Sequence, residues 1–304
     1  MSPNEMHSLS FKNSFIFIFL GAPKTLQLSL FMFFLVMYIL PVGGTVAILT
    51  SVSPSHQLHS PVYFFLSKLS FLEIWYTTAA VPKTLAILLG KNQTILFTGC
   101  LLQMYLVFSL GCTEYFLLAA AYHCSLAICY PLHYGAIMSS LLSVQLALGC
   151  WVCGFLAITV PTALISDLSF CGPHAINHFF CDIALACTST QVVELMAFVI
   201  VFVVILSSCL ITLVSYVFII STILRIPSAS GWSKAFSTCS SHLAVVLMWY
   251  GSTMFLHVRT SIKDTLDLTK AVTVLNTVVT PVLNPFIYML CNKKVRETVL
   301  KKWK

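Results

Sequence analysis

Charge is what this chain has least of. Its 304 residues carry nine acidic and sixteen basic side chains, 8% together. A water-soluble domain of that length needs a charged coat to stay dispersed, so a soluble globular class is excluded. No secretory leader is expected: Phe15–Leu20 is too short for a signal-peptide core, and no small-residue cleavage site follows it. The first long apolar segment is therefore expected to act as the insertion signal. No internal repeat marks the chain, which argues against a transporter or channel built from inverted halves. Nor does it hold a nucleophile–base pair or a phosphate loop, so neither enzyme chemistry nor a cofactor is expected. The net charge of +7 suits a basic tail beside anionic membrane lipid and implies no nucleic-acid partner.

What fills the chain instead is apolar sequence, 59% of it, with a mean hydropathy of +0.95. Crossing a hydrocarbon core takes about 20 helical residues. Seven stretches qualify: Leu28–Thr50, Pro61–Val81, Thr98–Ala127, Ser143–Ile165, Val193–Leu224, Ala235–Val258 and Ala271–Leu290. The expected fold is an all-α membrane protein, one seven-helix bundle over residues 1–304 with a short amphipathic tail helix near 292–301. With the N-terminus outside, the inner side carries Arg225, Lys234, Lys293, Lys294, Arg296, Lys301, Lys302 and Lys304. The outer side carries Lys12, Lys24, Lys91, Arg259, Lys263 and Lys270, so the basic bias that sets orientation comes mostly from the tail.

Twelve cysteines divide by location. Cys112, Cys124, Cys150, Cys153, Cys209 and Cys239 lie in apolar segments, where a thiol packs as a small hydrophobe. Cys150 and Cys153 have the Cys-x-x-Cys spacing, but without a second ligand pair inside a membrane helix they read as packing. Cys129 and Cys291 face the cytosol as palmitoylation candidates. Cys100, Cys171, Cys181 and Cys187 fall on the outer, oxidising side. A bridge from Cys100 would pin the loop between the fourth and fifth segments over the bundle mouth. Cys171 and Cys187 are then left to staple that loop to itself. Asn92-Gln93-Thr94 is the one glycosylation sequon.

Polar groups inside the apolar segments carry the functional candidates. Pro285 in Asn284-Pro285-Phe286-Ile287-Tyr288 removes a helical hydrogen bond, which marks a polar, bendable spot at the end of the seventh segment. Glu73 and Glu114 are the carboxylates set deep in the hydrocarbon, where an ionisable group is costly. Facing each other, they either share a proton or hold a cation, and Glu73 can equally be protonated and hydrogen-bonded in the core. Phe108, Gly111, Cys112 and Glu114 share neighbouring turns of the third segment. Tyr250, Thr253 and Met254 do so in the sixth, and Thr273 and Thr277 in the seventh. Apolar walls with a few hydroxyls suit a small volatile ligand, although ordinary helix packing produces the same spacing. His242 near the inner end of the sixth segment is either a partner for the third or a histidine held in place by hydrogen bonds.

Six blocks in order then resemble one family. Pro61-Val62-Tyr63-Phe64-Phe65-Leu66-Ser67 opens the second segment, and Leu126-Ala127-Ile128-Cys129-Tyr130-Pro131-Leu132 closes the third. Ser169-Phe170-Cys171 and His178-Phe179-Phe180-Cys181-Asp182 lie in the cysteine-rich loop. Lys234-Ala235-Phe236-Ser237-Thr238-Cys239-Ser240-Ser241-His242-Leu243 opens the sixth segment, and Pro281-Val282-Leu283-Asn284-Pro285-Phe286-Ile287-Tyr288 ends the seventh. Together they resemble vertebrate olfactory receptors of the rhodopsin-like, G-protein-coupled class, and Leu69–Thr78 is most similar to family 6, subfamily F. The resemblance implies an odorant-binding receptor in the plasma membrane of sensory cilia that activates a stimulatory G protein. It also implies a Cys100–Cys181 bridge beside Cys171–Cys187, a sodium-like site at Glu73 and Glu114, and a G-protein surface around Lys234, Ser240 and His242, with Asn284, Pro285 and Tyr288 as activation elements.

The chain departs from that pattern at the inner end of the third segment. Where the family reads Met-Ala-Tyr-Asp-Arg-Tyr, this chain reads Ala120-Ala121-Tyr122-His123-Cys124-Ser125. A thiol has neither the five donors nor the permanent charge of a guanidinium. Counted from Cys100, the segment is also one residue short, which rotates everything beyond by about 100° unless a bulge absorbs it. Thr45 stands for an asparagine beside Pro41, Cys291 for an arginine, and the Cys181–Cys187 loop is short. These departures suggest a second reading, a receptor fold that no longer signals or stays in the endoplasmic reticulum.

Overall fold

The computed structural model describes residues 14–17, 24–52, 61–90, 94–129, 140–167, 175–176, 191–224, 243, 246–256 and 266–283. Long apolar runs become long helices because only a helix satisfies every backbone group within its own segment when no water is present. These are α1 (Lys24–Val52), α2 (Pro61–Leu88), α3 (Phe97–Cys129), α4 (Ser140–Ser166) and α5 (Gln191–Ile223). Helix α6 is described over Val246–Leu256. Helix α7 starts at Leu266–Val274, widens into a π-helical turn at Leu275–Val279 and continues to Leu283. Pro41, Pro82 and Pro161 lie inside α1, α2 and α4. Gly90 takes φ +70° just past α2, a left-handed cap position suited to glycine, and its N–H donates to the Ile87 carbonyl.

The bundle is built inside out. On α4, Leu141, Val144, Leu148, Val152, Leu156 and Val160 recur every three or four residues and all lie exposed. On α5 the exposed series is Val192, Leu195, Val199, Val203, Leu206, Leu210, Val214 and Val217. Apolar faces of that extent in contact with water would aggregate; against lipid they are the ordinary outer wall. Among the described residues, three helices, over Lys24–Ala47, Leu141–Ser166 and Phe198–Thr222, are long and apolar enough to cross a membrane by length and composition.

The polar residues turn the other way. Ser70, Glu73, Thr77 and Thr84 form a buried seam along α2; Ser208, Thr212 and Ser215 do the same on α5, and Thr273, Asn276, Thr277 and Thr280 on α7. Many hydroxyls are satisfied within their own helix. Thr77 Oγ1 donates to the Glu73 carbonyl at 2.8 Å, Ser208 Oγ to Val204 at 2.7 Å and Ser215 Oγ to Ile211 at 2.8 Å.

Helix α3 is the hub, packing on α2, α4 and α5. It packs tightly on α4 at Gly154, where an added Cβ would overlap Thr113 Oγ1 and lie 2.8 Å from the Thr113 nitrogen. Polar stitches join neighbouring helices. Tyr38 meets Thr78 (3.1 Å), Gln103 Nε2 donates to the Ala79 carbonyl (3.1 Å) and Tyr105 meets Thr159 (3.3 Å).

One element lies outside the all-α expectation. β1 (Ser14–Phe17) pairs antiparallel with β2 (Thr94–Leu96) and parallel with β3 (Ala175–Ile176), in the order β2-β1-β3. This small sheet ties the chain ahead of α1 to the α2–α3 and α4–α5 connections. Lys83 Nζ, near the end of α2, donates to the Thr94 carbonyl at 2.8 Å and anchors it.

Candidate functional site

Three helices converge on one aromatic and hydroxyl junction. Tyr115 of α3 is buried and lies flat on Trp249 of α6, with ring centroids 4.3 Å apart and planes within 1°. Its ring also meets Tyr250 at 5.3 Å. The Tyr115 hydroxyl donates to Thr253 Oγ1 at 2.6 Å, crossing from α3 to α6. From α7, Asn276 Nδ2 donates to both Ser252 Oγ and Thr253 Oγ1 at 2.8 Å. Asn276 sits in the π turn, where the Thr280 N–H and hydroxyl both turn to the Leu275 carbonyl. A π turn carries one extra residue, and here that turn holds the amide directed at α6.

The pocket residues expected from the sequence occupy different places around this junction. Tyr250 and Thr253 belong to it. Cys112 is a buried free thiol, and Gly111 faces Tyr76, whose Cε2 would be 3.8 Å from an added Cβ. Phe108 packs with Met104 and Ile165, on the α4 side of α3. Thr273 and Thr277 are buried on α7, joined by a 2.6 Å bond from Thr277 Oγ1 to the Thr273 carbonyl. Met254 points outward and, with Tyr250, lines a cavity of about 90 Å³ against α5. A second, mostly apolar groove of about 480 Å³ lies between α2, α3 and α4, walled by Phe71, Trp75, Trp151 and Phe155, with Thr78 also on its lining.

Glu73 and Glu114 are both fully buried and lie within electrostatic reach of each other; Glu114 also acts on Tyr76 and Tyr115. Ser70, one turn before Glu73, has a buried hydroxyl with no hydrogen-bond partner. Among the described residues no group of three His, Cys, Asp or Glu side chains could hold a metal ion. Cys100 is disulfide-bonded, its partner lying outside the described residues, while Cys112, Cys150, Cys153 and Cys209 are free. His123, Cys124 and Ser125 fall within α3, whose backbone alone is described there. Asn92, Cys171, Cys181, Cys187, Lys234, Ser240, His242, Asn284, Pro285, Tyr288 and the expected tail helix lie outside the described residues.

The lipid-facing walls and polar interior fit a receptor bundle, and comparison with known sequences decides which. The sequence profile of the olfactory receptor family matches residues 34–304. This chain belongs to the olfactory receptor family. Human Olfactory receptor 6F1 is 82% identical to it over 295 residues, 95% of this chain and 96% of that protein. Rat Olfactory receptor 287 is 61% identical over 96% of each, and human Olfactory receptor 6N1 48% over 95% of each. These likenesses place it in family 6, subfamily F. As an olfactory receptor it is a multi-pass membrane protein of the G-protein-coupled class and not an enzyme.

Sequence reading of this receptor missed Tyr115, Trp249, Ser252 and Asn276. Tyr115 directly follows Glu114, and the aromatic pair Trp249-Tyr250 is itself a signal, since a buried Tyr or Trp wants a polar partner. Asn276 in an apolar helix carried the same hint.

Proposed function

We propose that this olfactory receptor binds small volatile odorants within its helix bundle and activates a stimulatory G protein. It does so from the plasma membrane of sensory cilia with its N-terminus outside. The whole chain, 1–304, forms one rhodopsin-like seven-helix domain with a tail helix near 292–301. The observation that carries this reading is the junction of Tyr115, Thr253 and Asn276. It couples α3, α6 and α7 through three hydrogen bonds, so a ligand altering any one helix alters the others. Phe108, Gly111, Cys112, Tyr250, Thr253, Met254, Thr273 and Thr277 remain the proposed pocket set. Burial of a small apolar ligand against them supplies about 25 cal/mol per Å². Activation is a population shift that moves α6 away from α3, with Pro285 as hinge and the segment around Lys234, Ser240 and His242 as the G-protein face.

Glu73 and Glu114 are proposed to hold a sodium-like cation that favours the resting bundle. The donor set suits a hard ion, which takes oxygen ligands: two carboxyls and the unbonded Ser70 hydroxyl. The competing arrangement is a protonated Glu73 bonded within the core. The outer bridges are proposed as Cys100–Cys181 and Cys171–Cys187, with a glycan at Asn92.

A second reading is favoured by His123-Cys124-Ser125 at the place of Asp-Arg-Tyr. Helix α3 is regular from Phe97 to Cys129, with no wide turn to absorb a lost residue. On this reading the receptor binds without signalling or is retained in the endoplasmic reticulum. Surface staining and the cAMP response to an odorant panel distinguish the two. The chain is compared with a version carrying His123→Asp, Cys124→Arg and one residue reinserted in α3. A response from the unmodified chain establishes signalling; a response from the repaired version alone establishes its loss.

A further inference from the structure

The connections at the amino-terminal end of α3 are joined through a single segment. β1 is the middle strand of the order β2-β1-β3: Ser14, Phe15 and Ile16 stand opposite Leu96, Ile95 and Thr94, and Ile16 and Phe17 pair with Ala175 and Ile176. β2 runs directly into α3, and β3 lies in the connection that leaves α4. Among the described residues, β2 and β3 meet only through β1. The sheet rests on the first turn of α3, where Ile95 Cγ1 lies 3.4 Å from the position a Cβ would take on Gly99. From the α2 side, Lys83 Nζ donates to the Thr94 carbonyl at 2.8 Å and holds β2 in place. The strands are four, three and two residues long, below the about five to six of an ordinary strand. Ladders this short open at low cost.

We propose that β1 is a clasp that closes this end of the bundle to small water-borne solutes. Paired, it ties the α2–α3 connection to the α4–α5 connection across the start of α3. Released, it leaves β2 held to α2 by Lys83 and β3 without its neighbour, and small polar molecules pass between the two connections into the bundle. Cys112, a buried free thiol about four turns along α3 from this end, reports such entry. The clasp goes beyond the odorant reading and does not rest on it, because it governs which solutes pass and not which are recognised.

The full-length receptor in lipid nanodiscs is treated with a small methanethiosulfonate bearing a quaternary ammonium, which stays out of lipid. Modification of Cys112 is followed by mass spectrometry. Ile16 pairs on both sides of β1, and Ile16→Pro removes its N–H from the ladder. That variant should label Cys112 about five- to tenfold faster, the worth of one ladder hydrogen bond. Directly opposite antiparallel residues have Cα atoms about 4.5–5.5 Å apart, a separation that a disulfide spans. Phe15→Cys with Ile95→Cys therefore locks the clasp under mild oxidation, and the locked form should label several-fold more slowly than either single variant. The single variants serve as references because a reductant would also open the bridge at Cys100. Equal rates in the locked and single forms, zero included, overturn the clasp. So does a cysteine pair that never cross-links, or a folded Ile16→Pro receptor whose rate is unchanged. Should Ile16→Pro unfold the bundle, Cys112 will label as readily as exposed Cys153, and the locked form then decides alone. No odorant enters the assay, so its result stands whether or not the receptor signals.

Discussion

Gly154→Ala adds one methyl where α4 lies tight against α3. The new Cβ would overlap Thr113 Oγ1 and sit 2.8 Å from the Thr113 nitrogen and 3.0 Å from the Ser109 carbonyl oxygen. Two of those three are backbone atoms. The third is held in place, since Thr113 Oγ1 donates to the Ser109 carbonyl at 2.8 Å. No side chain can swing clear, so the helices must part. Overpacking of this kind costs about 1–3 kcal/mol, and displacing the Thr113 hydroxyl adds roughly 1. Better helix propensity returns about 1 kcal/mol, leaving a net loss of about 1–3 kcal/mol. At about 2–4 °C per kcal/mol for chains above 150 residues, the midpoint falls by roughly 2–12 °C. Gly149 supplies the control on the same helix, because nothing lies within 4 Å of its virtual Cβ. Gly149→Ala should therefore gain the propensity term alone and raise the midpoint by roughly 2–4 °C. The assay is thermal unfolding in nanodiscs, read by a thiol-reactive fluorophore as buried Cys112 becomes accessible. Equal midpoints for the two variants would refute the close-approach argument.

Asn276→Leu removes both bonds to α6 and leaves Ser252 and Thr253 without that donor. It should lower stability by about 1–3 kcal/mol and raise basal cAMP in the repaired version; unchanged basal cAMP would separate the junction from activation. Tyr115→Phe keeps the ring stacked on Trp249 and deletes only the hydroxyl, so a smaller loss of about 1 kcal/mol is expected in the same unfolding assay. Thr45→Val replaces a fully buried hydroxyl that has no hydrogen-bond partner, and should stabilise by about 1 kcal/mol. A destabilised Thr45→Val would mean that the hydroxyl is used. Gly90→Ala forces a side chain into φ +70° and should cost about 1–2 kcal/mol, measurable as a lower unfolding midpoint.

The five long helices α1–α5 were legible because apolar runs of membrane-spanning length dictate them, and the family was legible in blocks such as Pro61–Ser67 and Lys234–Leu243. What each helix turns inward was harder to read. Apolar residues lie on both the outer and inner faces of α4 and α5, so hydrophobic periodicity alone names no buried face; on α5 the buried Ser208, Thr212 and Ser215 betray it. The sheet was invisible: Ser14–Phe17 is four residues long, and its partners lie far away in sequence. Tyr250 and Thr253 could be nominated from helical spacing. Their meeting with Tyr115 and Asn276 could not, because it depends on how three helices cross and on a wide turn no local pattern announces. Gly154 looked like any membrane-helix glycine until α3 lay against it.

The π turn at Leu275–Val279 also bears on how this gene can change. A wide turn is an insertion already accommodated, its extra residue absorbed within one loop of helix. Deleting a residue there would tighten the turn to an ordinary one and leave Thr273 and Thr280 on nearly their present faces. The same deletion in α3, regular throughout, would rotate all that follows by about 100°. Length variants in this lineage should thus be tolerated in the seventh helix and disruptive in the third.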